Sequence, residues 1–182
     1  MGWKKISSNL IYKNDFIQLF DEEVIAPTGI KVNYGRVNFK KIAASVIIFD
    51  SVNKSILLVG QYRYPNAFYS WETIQGGSEK KESPYNIAIR EMEEEAKLTT
   101  TKLEKICITN TSNSVTDETA HLFFCDYANT FEYKKTTADL TEKLELKWFP
   151  LDKALKMINE GDIRDSLTQI SIFHLSNALK SS

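Results

Sequence analysis

Midway along the chain, Arg90-Glu91-Met92-Glu93-Glu94-Glu95 sets four carboxylates within five positions beside one guanidinium. A good N-cap stands ahead of it at Ser83, and Pro84 is preorganised for the first helical position. These signals predict a helix from about Ser83 to Lys97. At 3.6 residues per turn, Glu91, Glu94 and Glu95 then share one face while Glu93 points elsewhere. Like charges crowded in this way are unfavourable without cations. Arg90 reaches Glu94 one turn on, but one guanidinium cannot neutralise the cluster, so a bound divalent cation is the natural remedy. Hard oxygen donors suit Mg²⁺, with Mn²⁺ as a substitute. The ordinary alternative for a glutamate run is a solvated helix face.

The surrounding pattern is that of a small α+β protein. Residues 10–39 alternate apolar and polar side chains in short runs broken at Lys13-Asn14-Asp15 and Ala26-Pro27-Thr28-Gly29, the mark of a β-meander. Runs at 43–49, 56–62 and 68–74 are apolar enough for strands buried on both faces. Further strands are predicted at 103–110, 121–127 and 144–149. A helix is predicted over 151–160, stopped by Gly161, and a last helix from Ser166. The polar stretch 129–141 is too long for a tight hairpin, and loops of that length are often functional.

With 182 residues, 42% hydrophobic and 26% charged, the chain is expected to fold as one catalytic domain with a small extension. Its formal charge of −1 gives no global reason to bind nucleic acid or an anionic membrane, so phosphate handling must be local. No apolar run approaches the ~20 residues that span a bilayer, and the N-terminus lacks a signal-peptide core. A cytoplasmic enzyme is the expectation. Cys107 and Cys125 lie in strand-like runs and are expected to be reduced thiols. His121 and His174 are too few to suggest a metal site.

Gly76, Glu82, Arg90, Glu91, Glu94 and Glu95 stand at the spacing G-x5-E-x7-R-E-U-x-E-E-x-G-U, with Met92 and Leu98 in the bulky aliphatic positions U. This resembles the Nudix box. Lys97 stands where the box has its second glycine. A glycine there would take a left-handed conformation easily; Lys can adopt it at modest cost, and its charge suits a helix C-terminus. Gln61-Tyr62-Arg63-Tyr64-Pro65, Trp71-Glu72, Asp117-Glu118 with His121-Leu122-Phe123, and Glu160-Gly161-Asp162-Ile163 extend the likeness. From about Tyr12 to Leu175 the chain resembles the ADP-ribose pyrophosphatase branch.

That resemblance implies a Nudix α/β/α sandwich with a mixed sheet (residues 42–182), preceded by an antiparallel β-subdomain (residues 1–41) that pairs two copies into a homodimer. Apolar residues on more than one face of the meander also point to a dimer. By the same resemblance Glu91 and Glu95 are metal ligands, with Glu94 close by and the Gln75 carbonyl as another. Arg63 and Glu72 contact substrate, Arg90 holds the glutamates, and Glu118 faces the distal ribose. The structural alternatives are an Arg63–Glu72 pair and a Glu118 turn cap. Glu142 is the expected general base, with Asp139 and Glu145 as neighbours that could take the role.

Two departures bear on the substrate: no proline precedes the acidic dipeptide, and Thr73-Ile74-Gln75 replaces Leu-Pro-Ala. The expected reaction is Mg²⁺-dependent hydrolysis of a nucleoside diphosphate linked to another group, ADP-ribose first, GDP-mannose or another nucleotide sugar as the alternative. The reading of another class is a Nudix fold that senses a nucleotide without cleaving it; such proteins typically lose box glutamates, whereas all are present here.

Overall fold

The computed structural model describes residues 2–79, 81–133 and 144–181. The meander is the antiparallel sheet β1 (Lys4–Lys13), β2 (Ile17–Ile25) and β3 (Lys31–Phe39) in the order β1-β2-β3. The breaks fall where the sequence signals them. Asn14 Oδ1 accepts from the backbone N–H groups of Phe16 and Ile17, both at 2.8 Å, and turns the chain between β1 and β2.

The larger sheet holds seven strands. β4 (Lys41–Asp50), β5 (Ser55–Arg63), β6 (Phe68–Glu72), β7 (Ile74–Glu79), β9 (Glu104–Asn110), β10 (Thr119–Asp126) and β12 (Glu145–Pro150) form it, with the spine β12-β5-β4-β10-β9 and with β6 on β5 and β7 on β4. The two remaining strands, β8 (Leu98–Thr100) and β11 (Thr130–Glu132), pair apart from it. The sheet is mixed, because β10 runs parallel to β4 while the other pairings are antiparallel.

The period of two in β4 and β5 explains the sandwich. Val46, Ile48, Leu57 and Val59 face one side, where Ile87, Ala88 and Met92 cover them. Those three come from α1 (Pro84–Glu91) and the turn after it. Ile47, Phe49, Ile56 and Leu58 face the other side, under Ala154 and Met157 of α2 (Leu151–Glu160) and Ile172 and Leu175 of α3 (Ser166–Lys180). Strands apolar on both faces thus sit between two helical layers, as the sequence predicts.

Three details differ from the sequence reading. The predicted strand over 68–74 breaks at Thr73 into β6 and β7. The predicted helix ends as an α-helix at Glu91 and widens into a π-helical turn, Met92–Ala96. Part of the polar stretch 129–141 is strand β11 rather than loop. Other expectations hold: Ser83 Oγ accepts from Asn86 N at 3.2 Å, and Gly161 at φ 80° caps α2. Both cysteines are free thiols. Among the described residues, no helix is long and apolar enough to cross a membrane.

The small sheet is tied to the large one by the loop between β9 and β10. Val37 N donates to Val115 O at 2.8 Å, Phe39 N to Asp117 Oδ1 at 2.7 Å, and Asn38 Nδ2 to the same carboxylate. Inside the small sheet Glu22 is 6% exposed and accepts from Arg36 Nη2 at 3.1 Å, Arg36 Nε at 3.2 Å and Ser8 Oγ at 2.8 Å. The Arg36 hydrogen bonds, above all, hold its carboxyl at about 2, down from the ordinary 4.5. A folded-state value below the unfolded one contributes stability that is present above the unfolded pKa and lost as pH falls through the folded one. The wild type should therefore lose more melting temperature than Glu22→Gln between pH 4.5 and pH 2. Parallel curves in a thermal-denaturation pH series would contradict this.

Candidate active site

β7 runs directly into the carboxylate helix, and the two meet at Gly76. A Cβ built on Gly76 would lie 2.1 Å from the Glu91 Cδ, so the Glu91 carboxylate rests where any side chain would be. Glycine is required here for close approach rather than for a special φ. Glu91 is only 8% exposed, and Arg90 Nη1 reaches its Oε1 at 2.8 Å. The same Nη1 meets Glu94 Oε2 at 2.9 Å, and Arg90 Nε lies 3.8 Å from Glu82 Oε1. Burial works against the Arg90 charge, but the glutamates around it outweigh that and raise its pKa further. Arg90 thus pairs with three glutamates, Glu82, Glu91 and Glu94.

The π-helical turn carries Glu93, Glu94 and Glu95. Such wide turns are commonest at functional sites. Glu93 points away and accepts from Thr99 Oγ1 at 2.8 Å, while Glu95 Oε2 turns back to the Gln75 N–H at 3.4 Å. Lys97 closes the turn in the left-handed region, φ 57° and ψ 32°, and its Nζ donates to the Glu94 carbonyl at 2.6 Å. Lysine thus fills the position of the box glycine and satisfies a carbonyl at the helix end.

Glu91 and Glu95 converge on the Gln75–Gly76 peptide from the helix side. Carboxylate oxygens against a backbone stripped of its Cβ form a donor set suited to a hard divalent cation. Among the described residues, no three His, Cys, Asp or Glu side chains already stand together as a complete ligand set, because Glu91 and Glu94 close on Arg90 instead.

Gln75 and Gly76 also line a cleft of about 590 Å³. Arg63, Gln75, Gly76 and Glu118 line it, so residues far apart in sequence are brought together. A second cleft of about 650 Å³ adjoins it across Arg63 and Asp165 and reaches Glu72. Arg63 Nε donates to Glu72 Oε1 at 3.0 Å and its Nη2 to Oε2, a bidentate pair. Burial pushes the Glu72 carboxyl up, but the Arg63 bonds and charge more than offset it and leave it below the ordinary range. Glu118 Oε2 accepts from Thr111 Oγ1 at 2.5 Å and remains on the cleft wall. The local pairings anticipated for Arg63 and Glu118 therefore form at the cleft itself. Glu142 and Asp139 lie outside the described residues; Glu145, at the start of β12, accepts from Tyr69 Oη at 2.9 Å.

Sequence reasoning missed several cleft residues. Phe16, Phe39 and Lys41 arrive from the junction of the two sheets, and Asp165 and Ser166 from the start of α3. Asp165 is the α3 N-cap; its Oδ2 accepts from Thr168 N at 2.8 Å and Thr168 Oγ1 at 2.7 Å. Burial pushes its carboxyl up despite those donors, and the Glu72 charge adds to the effect. The capping signal was readable, but not the direction in which that helix end points.

The NUDIX domain family model matches residues 39–168. The ADP-ribose pyrophosphatase of Bacillus subtilis (strain 168) is 31% identical over 172 residues, 94% of this chain and 91% of the relative. The GDP-mannose pyrophosphatase of Yersinia enterocolitica is 26% identical over 180 residues, 91% of this chain and 90% of the relative. A solved structure of an ADP compounds hydrolase matches with a TM-score of 0.86, covering 100% of this chain and 96% of that one at 14% identity, a likeness of fold. Family match, relatives and the intact glutamate box meeting Gly76 lead to one conclusion: the chain belongs to the Nudix family, as a pyrophosphohydrolase.

Proposed function

We propose that the enzyme hydrolyses ADP-ribose to AMP and ribose 5-phosphate with Mg²⁺, for which Mn²⁺ can substitute. The observation that carries this reading is that Gln75 and Gly76, against which Glu95 and Glu91 rest, also line the cleft that holds Arg63 and Glu118. The B. subtilis relative, named for ADP-ribose and alike over nearly the whole of both chains, supports this substrate. The Yersinia relative supports GDP-mannose as the second reading.

Glu91, Glu95 and the Gln75 carbonyl would hold the metal, with Glu94 beside them. Nudix hydrolases generally work with divalent metal ions, which neutralise phosphate charge and lower the pKa of a bound water. The chain's own residues do the rest. Arg63 and Lys41 supply positive charge at the cleft for the diphosphate. Phe16 and Phe39 offer apolar rings at the same mouth for the base. Glu118 is an acceptor for a ribose hydroxyl, and Glu72 fixes Arg63 in its bidentate geometry. Water adds to one phosphorus, the bridging P–O bond breaks, and a carboxylate takes the water's proton. We assign that proton to Glu142.

We also assign residues 1–41 to a dimerisation unit in a cytoplasmic homodimer. Every residue of β1 is exposed, including Ile6, Leu10 and Ile11, an edge strand with apolar side chains that would pair readily with a second copy. Light scattering at micromolar concentration should give about twice the 20.9 kDa of one chain. A stable particle of one-chain mass would refute the dimer.

The direct test of the reaction is incubation with Mg²⁺ and a panel of ADP-ribose, GDP-mannose, UDP-glucose and NADH, with identification of products. AMP and ribose 5-phosphate should form fastest. Glu95→Gln should abolish this turnover without lowering the metal-free melting temperature, since it removes one like charge from a crowded turn. A variant with near-wild-type activity at saturating Mg²⁺ would remove Glu95 from the metal site.

A further inference from the structure

The Gln75 side chain is an uncharged polar group among the residues that line the cleft of Arg63 and Glu118. Its Nε2 donates to Glu72 Oε2 at 2.6 Å. That carboxylate fixes which end of the amide faces it, because only the NH₂ group can donate. Glu72 is in turn held from its other side by Arg63. Two residues before Gln75, Thr73 N donates to Thr168 Oγ1 at 2.9 Å and Thr73 Oγ1 meets Ser45 Oγ at 2.7 Å, all three residues being buried. The amide is therefore held through Glu72 and Arg63, on a segment fixed by a buried polar cluster.

We propose that the Gln75 side chain selects the substrate: with its nitrogen held against Glu72, its carbonyl oxygen is presented to the cleft that Gln75 lines, as a fixed acceptor. It favours nucleoside diphosphate compounds that bring an O–H or N–H donor to that point. A polar group built to meet a donor discriminates strongly against analogues that lack it, because its hydrogen bond is then lost on burial. Gln75 is a specificity-determining residue, separate from the metal role of its backbone carbonyl, which any side chain would preserve. The inference rests on the nucleoside diphosphate reading above.

The test pairs enzyme variants with substrate analogues. Wild type, Gln75→Ala and Gln75→Met are compared on ADP-ribose, on GDP-mannose, and on a set of their analogues that each lack one hydroxyl or one exocyclic amino group. Both kcat/KM with Mg²⁺ and equilibrium binding in EDTA are measured. For one analogue the wild type should lose on the order of 10-fold or more in both readouts, while the two variants lose less than about 2-fold on that same analogue. A merely structural role would lower all compounds by one common factor. Equal penalties in wild type and variants for every analogue would overturn the selection by Gln75 and leave the reaction itself standing. A wild type that neither binds nor cleaves any of these compounds would overturn the substrate reading, and the Gln75 proposal with it.

Discussion

The site depends on one electrostatic constraint, the crowding of Glu91, Glu94 and Glu95 on one turn and a half of helix, where a single Arg90 pairs with Glu91 and Glu94. Each carboxylate repels the others, and the guanidinium's bonds of 2.8 and 2.9 Å to Glu91 and Glu94 answer only part of that repulsion. Glu91 is buried as well, which raises the cost of its charge. A fold keeps such an arrangement when a cation or a ligand completes it. The missing Cβ at Gly76 is the steric counterpart of the same constraint, since it lets a buried carboxylate lie on the strand backbone.

From that contact the rest of the architecture follows. On β7, Gln75 and Gly76 meet the glutamates of the helix and also line the cleft that carries Arg63, Glu118 and Asp165. The break at Thr73 orients this segment: Thr73 N bonds to Thr168 on α3, a residue 95 positions away, so the far end of the chain holds the strand that meets the glutamates. The small sheet contributes through the loop bonds at Val37 and Phe39, which bring Phe16 and Phe39 to the mouth of the cleft.

Much of this was legible because local chemistry decided it. Unbroken apolar runs in β4 and β5 announced strands buried on both faces, Ser83-Pro84 marked the helix start, and Gly161 its counterpart at the end of α2. The left-handed Lys97 followed from its place in the motif. Other features are set by contacts distant in sequence and carry no local signature. The π-helical turn depends on which carbonyl each N–H selects, a choice that the spacing of the glutamates does not reveal. Strands β8 and β11 are three residues each, with mixed polarity, too short for a period. Asp165 reads as an N-cap in the sequence, and only the packing of α3 brings it to the wall of both clefts. The carboxylates were visible as a motif; their meeting with Gly76 was visible only as a spacing.

The most direct test of this picture is the position of the cation itself. Crystals grown with Mn²⁺ and a non-hydrolysable ADP-ribose analogue, measured at the manganese absorption edge, would locate it by anomalous scattering. The expected peak lies within coordination distance of Glu91, Glu95 and the Gln75 carbonyl oxygen, with the diphosphate of the analogue beside Arg63. An anomalous peak bound elsewhere, with Glu91 and Glu95 still closed on Arg90 and the Gln75 peptide, would contradict the assignment of the glutamate helix as the metal site.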